Sequence, residues 1–136
     1  MKQRIGVASA VALAATLVVL AAQQPPAIER QVLQRADLSA PGREVVQAKA
    51  IFPGPGATTG RHTHPGEEIT YVLEGTVKLE VDGQPAKEYK AGEFFIVPAE
   101  KVHNGTATSK AVALATYVVE KGKPLATPVP AAPAKK

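Results

Sequence analysis

The chain has 136 residues, 45% hydrophobic and 21% charged, with a formal charge of +4 and no cysteine. That length suits one domain, and without disulfides the fold must rest on an apolar core or a bound metal. The positive balance gathers at the two ends, at Lys2, Arg4, Lys121, Lys123, Lys135 and Lys136. The middle is close to neutral, so nucleic acid gains no support as a partner.

Residues 1–22 read as a secretory signal peptide. Lys2 and Arg4 precede an uncharged run from Ile5 to Ala22, which ends in small residues before Gln23 and Pro25. The competing reading is an uncleaved membrane anchor, because 18 residues are just enough to span. The run is alanine-rich and holds Gly6, Ser9 and Thr16, which makes it a weak span. Only in that case would the chain be attached to a membrane. No cysteine follows, which excludes a lipid anchor. Cleavage near Ala21 or Ala22 delivers a periplasmic or secreted protein and lowers the formal charge from +4 to +2 by removing Lys2 and Arg4.

Residues 23–30 read as a linker, and 31–120 as the folded domain. Inside it the hydrophobic period is two. TVKLEV alternates, with Val77, Leu79 and Val81 on one face and Thr76, Lys78 and Glu80 on the other, before the turn signal Asp82-Gly83. Further strands are expected over Glu44 to Phe52, Ile69 to Leu73, Phe94 to Val97 and Ala111 to Val119. Each is bounded by Gly, Pro or Asn-Gly. Short strands with frequent turns and no helical pattern indicate an all-β sandwich or barrel. Residues 121–136 hold four prolines and almost no large apolar side chain, which predicts a disordered, solvated tail.

GRHTHPGEEITYVLEG, residues 60–75, places two of the three histidines and two adjacent glutamates within nine positions. Side chains two apart on a strand share a face, so His62 and His64 can converge on one point. Glu68 can join them past the Pro65-Gly66 kink, and His103 can arrive from a later strand. Three imidazoles and a carboxylate suit one divalent transition metal, whether Fe, Mn, Ni, Cu or Zn. On an octahedral ion, two positions stay open for water, dioxygen or substrate. A His-x-His pair can also be a solvated edge pair, and Glu67 is an alternative to Glu68. Arg61 and Lys101 read as ordinary surface charges. Tyr71, Phe94, Phe95 and Tyr117 read as core or dimer contacts rather than a substrate platform. By pattern, few other polar residues line a pocket. All three histidines being used, no Ser-His-Asp or Cys-His set can be assembled.

These residues resemble the two cupin motifs. Gly56, His62, His64, Glu68 and Gly75 meet every fixed position of the first. Gly92, Pro98 and His103 meet the second, with Glu100 where a turn glycine is usual and Ala107 where an asparagine is usual. Asn104, next to the histidine, is out of register. The resemblance spans roughly residues 44–119 and implies a small jelly-roll β-barrel with a metal inside it, commonly a homodimer. It also implies a small-molecule ligand or substrate. The leading expectation is an exported metal-dependent enzyme, a dioxygenase similar to the quercetin dioxygenases, with Glu68 doubling as proton acceptor. A non-catalytic small-molecule binding protein and a metal-assisted lyase or isomerase are the alternatives. Fold alone does not choose among them.

Overall fold

The computed structural model describes residues 24–131. The signal segment lies outside the described residues, as do the last five residues. Ten strands follow in chain order: β1 (Glu29–Asp37), β2 (Arg43–Phe52), β3 (His62–Thr63), β4 (Gly66–Glu74), β5 (Thr76–Val81), β6 (Lys87–Lys90), β7 (Phe94–Val97), β8 (His103–Ala107), β9 (Ala111–Glu120) and β10 (Thr127–Pro128). They form two five-stranded sheets, ordered β1-β2-β9-β4-β7 and β10-β3-β8-β5-β6, and every ladder is antiparallel.

Alternation along the strands is what packs the sheets together. On β5, Val77, Leu79 and Val81 are buried, as the pattern TVKLEV predicts. β2 and β9 alternate in the same way along ten residues each, and their inward residues pair as Val46 with Tyr117, Ala48 with Ala115 and Ala50 with Ala113. The alanine pairs matter for function. Two large side chains facing the opposite sheet would fill the space between the layers, whereas four alanines leave room there.

The expected closed barrel is not formed. β1 and β7 are the edges of one sheet, β10 and β6 the edges of the other, and among the described residues no ladder joins them. β6 has four residues and β10 two, too few to carry hydrogen bonding from one sheet around to the next. The described residues form a two-sheet sandwich.

Both ends of the domain also differ from expectation. The segment read as a linker already contributes: Ala27 bridges to Thr58, and β1 begins at Glu29. The segment read as a solvated tail turns back onto the domain. Thr127 and Pro128 pair with Thr63 and His62, the Val129 amide donates to the Arg61 carbonyl, and Leu125 packs on Val46, Ala48, Ala115, Tyr117 and Val119. Leu125 supplies an apolar anchor that the surrounding prolines and alanines hide.

Candidate metal centre

Four elements deliver the site. β3 carries His62, and His64 follows in the turn before β4. That turn is made possible by Gly66. A Cβ there would stand 1.9 Å from the Val118 carbonyl oxygen, so only glycine lets β4 start against β9 at this point. Glu68 is then the third residue of β4, on the inner face opposite Tyr117. β8 opens with His103, which pairs with His62 on one side and Val81 on the other. The four sequence-predicted ligands are thus brought together, and all are buried. Their donor atoms lie within 4.8 Å of one another. Glu67 faces out, exposed, so the alternative carboxylate is excluded by the pleat of β4.

The second motif's departures have structural counterparts. Glu100 has a φ of 60°, in a turn closed by the Lys101 amide donating to the Pro98 carbonyl at 3.2 Å. It occupies the left-handed conformation that a glycine would take without strain. Ala107 is a core residue with 1% exposure. Asn104 points away from the ligands; it accepts from Thr58 at 2.7 Å and donates to Glu80 at 3.2 Å, holding the loop before β3 against β8. Arg61 forms a bidentate pair with Asp82, both contacts at 2.8 Å.

Every ring has its Nδ1 tied to a backbone carbonyl: His62 to Gly60 at 2.7 Å, His64 to Leu125 at 2.6 Å and His103 to Lys101 at 2.9 Å. A carbonyl only accepts, so each Nδ1 carries a proton and each Nε2 of a neutral ring presents a lone pair. Those lone pairs converge. His62 Nε2 is 3.1 Å from His64 Nε2, and Glu68 Oε2 is 3.0 Å from the Nε2 of His64 and of His103. Burial pushes the His62 imidazole down to about 4, against the Gly60 carbonyl, which raises it. Burial pushes the Glu68 carboxyl up, whereas protonation of His103 or His64, which turns an Nε2 into a donor toward it, holds the group well below the usual carboxylate range. Thr70 donates to the other carboxylate oxygen at 2.6 Å. Several acceptors and a carboxylate crowded together in a buried place repel one another unless a cation lies among them. Neighbouring ligand atoms about 3 Å apart are also what two donors at about 2.1 Å from one ion require at right angles. The donor set fits a divalent metal.

The family profile of the cupin domain matches residues 53–120, half of the chain and both motifs. The chain belongs to the cupin family. No match was found among curated proteins. Among solved structures, this cupin is similar to a cupin-like protein from Thermotoga maritima, at 23% identity and a TM-score of 0.60 over 75% of each chain. It is also similar to the DMSP lyase DddQ from Ruegeria pomeroyi, at 19% identity and a TM-score of 0.55, over 62% of this chain and 42% of that one. KdgF from a Halomonas species gives 21% identity and a TM-score of 0.53, over 70% of this chain and 81% of that one. At these identities the likeness speaks for the fold.

Beside the ligands lies a cavity of about 30 Å³, room for a few waters. Ala50 of β2 and Ala113 and Ala115 of β9 form part of its wall, with Phe52, Leu79 and Phe95. Its polar groups beyond the ligands are Arg30, Thr59, Thr70 and Tyr117. The strand pattern predicts few such groups, and Arg30 lies in the segment read as linker. Tyr117, read as a core or dimer contact, is 1% exposed and packs on His64 with ring centroids 4.6 Å apart and planes tilted by 52°, yet it also borders the cavity. Phe95 is core, whereas Tyr71 and Phe94 face outward.

Proposed function

We propose that this cupin is a metal-dependent enzyme acting on a small, enolisable organic substrate. The observation that carries the reading is the convergence of three imidazole lone pairs and one ionised carboxylate on a single buried point beside a cavity. His62, His64, Glu68 and His103 would hold the ion. Lewis acidity toward a substrate oxygen is what a divalent metal supplies when bound there. The chain's own residues would do the rest. Burial between the sheets excludes bulk water, and the tied rings keep the donors in place. Glu68, kept ionised, can accept a proton from a substrate carbon or hydroxyl at the cavity side, with Thr70 steadying its second oxygen.

The cavity lining is mostly apolar, with Arg30, Thr59, Thr70 and Tyr117 as its polar groups beyond the ligands, and it suits oxygenase, lyase and isomerase chemistry alike. Two tests divide the readings. Metal analysis of the purified protein shows whether an ion is held. Turnover of small hydroxy-carbonyl compounds with and without oxygen then separates an oxygenase, which stops without it, from a lyase or isomerase, which does not. No turnover in either condition, with metal present, returns the protein to the non-catalytic binding class.

Export and pairing complete the proposal. The charged start and uncharged run of residues 1–22 support delivery to the periplasm or exterior. A homodimer is supported by the outer face of β4 and the edge strand β7. There Ile69 pairs with Ile96 and Tyr71 with Phe94, and all four are more than 40% exposed. A second copy of the same patch is the occupant such a self-complementary apolar face suits.

A further inference from the structure

Arg30 has no place in the chemistry described above. Its partner across the β1–β2 ladder is Ala50, and directly paired residues share a face, so Arg30 points between the sheets. It borders the same cavity as His62, Glu68 and His103, and its guanidinium stands beside the Tyr117 hydroxyl. Ala50, Ala113 and Ala115 leave the space into which so long a side chain can lie.

The guanidinium has no acidic partner. Its Nε is buried without a hydrogen-bond partner. Among the described residues Arg30 takes part in no ion pair, whereas Arg35 on the same strand is paired with Glu44 at 2.6 Å. A partly buried guanidinium with no acidic partner favours an anion beside it. Glu68 is not that partner: no ion pair among the described residues joins the two, and Thr70 donates to one of its oxygens. With a divalent ion on the four ligands, two positive centres would share one small cavity, and an anion between them is what balances the charge. A planar, two-oxygen group matches the guanidinium fork best.

We infer that the cavity is an anion site, taking a carboxylate of a few heavy atoms, with Arg30 and the Tyr117 hydroxyl holding the carboxylate and the remainder facing the four ligands. This deepens the reading of the same cavity as a substrate site and narrows its substrate class to small carboxylic acids. The polar groups are split between the sheet edge, at Arg30, and its centre, at Tyr117 and Glu68, so the ligand would bridge strands β1, β9 and β4.

The test is calorimetric titration of glycolate, with ethylene glycol as its uncharged counterpart, into the metal-loaded and metal-free protein. Glycolate is expected to bind, and ethylene glycol at least about tenfold more weakly. Arg30→Gln should weaken glycolate by about tenfold to a hundredfold with metal content unchanged, and Arg30→Lys should recover part of the loss. Tyr117→Phe, which removes only a hydroxyl, should weaken glycolate several-fold and decides the matter if Arg30→Gln does not fold. Equal binding of the two probes, or unchanged glycolate affinity in either variant, overturns the inference. So does loss of metal in Arg30→Gln. If the purified protein holds no metal, the enzyme reading fails, whereas Arg30-dependent glycolate binding to the metal-free protein would still sustain the anion site.

Discussion

His64 Nδ1 donates to the backbone carbonyl of Leu125 at 2.6 Å, tying a ligand of the candidate metal centre to a residue 61 positions downstream. The equivalent bonds of His62 and His103 reach carbonyls only two residues away. One of the three rings is therefore oriented by the C-terminal segment and not by its own loop. Truncation after Lys121 should lower metal affinity by about tenfold or more, as loss of an orienting partner does. It should also cost about 1–3 kcal/mol of stability in the metal-free protein through the unpaired ring N–H. Leu125→Ala keeps the carbonyl and loses only packing, so it should reduce the melting temperature while leaving metal affinity nearly unchanged. Equal metal affinity in the truncated and full chains would mean that the tail is ornamental to the site.

Glu68 and Glu67 form a matched pair for substitution. Glu68→Gln keeps an oxygen ligand but removes the charge and the proton acceptor, so metal should be retained more weakly while turnover falls by at least about a hundredfold. Glu67→Gln, on the exposed face of β4, should change neither. Metal content and rate measured side by side check both halves.

At Glu100 the left-handed backbone costs a side-chain-bearing residue about 1–2 kcal/mol. Glycine would relieve this but lose more conformational entropy on folding. Glu100→Gly should therefore stabilise the fold by about 0.5–1 kcal/mol, read as a higher midpoint in urea denaturation. The His64 carbonyl accepts from the Glu100 amide at 3.0 Å, and that bond does not depend on the side chain. A lower midpoint would mean that the Glu100 side chain contributes more than its strain costs.

Ala115 lies in the wall of the cavity, paired with Ala48 and Thr70. Ala115→Leu should fill the space, at an overpacking cost of about 1–3 kcal/mol. Ligand binding should disappear while the four donors keep their metal. Metal analysis and thermal denaturation of this variant distinguish a blocked cavity from a broken fold.

What the sequence disclosed follows from how strongly each element alternates. β5 and β7 match the expected strands residue for residue, and β2 and β9 begin or end within one residue of theirs, because burial on one face writes a period of two into the chain. β4 starts three residues before the expected Ile69, since Gly66 allows a close backbone approach that no hydrophobic pattern records. β1 and β6 were missed because they are edge strands with mostly exposed residues, and nothing alternates in ERQVLQRAD or KEYK. The four ligands were legible because their residue types and spacing are rare in combination. Arg30 was not, because an arginine in an apparently polar segment looks solvated until its strand is paired. The Leu125 contact was invisible for a simpler reason: the group that matters is a backbone carbonyl, which every residue possesses.

The one-metal reading of His62, His64, Glu68 and His103 is tested most directly by metal stoichiometry of the purified chain and of His103→Ala. His103 lies 35 residues from Glu68 and on the opposite sheet, so only the folded sandwich can recruit it. The expected result is one divalent ion per chain, lost by orders of magnitude in affinity on His103→Ala while the fold persists. Full metal retention by His103→Ala, or loss of metal on Glu67→Gln, would contradict it and reduce the site to a local cluster between β3 and β4.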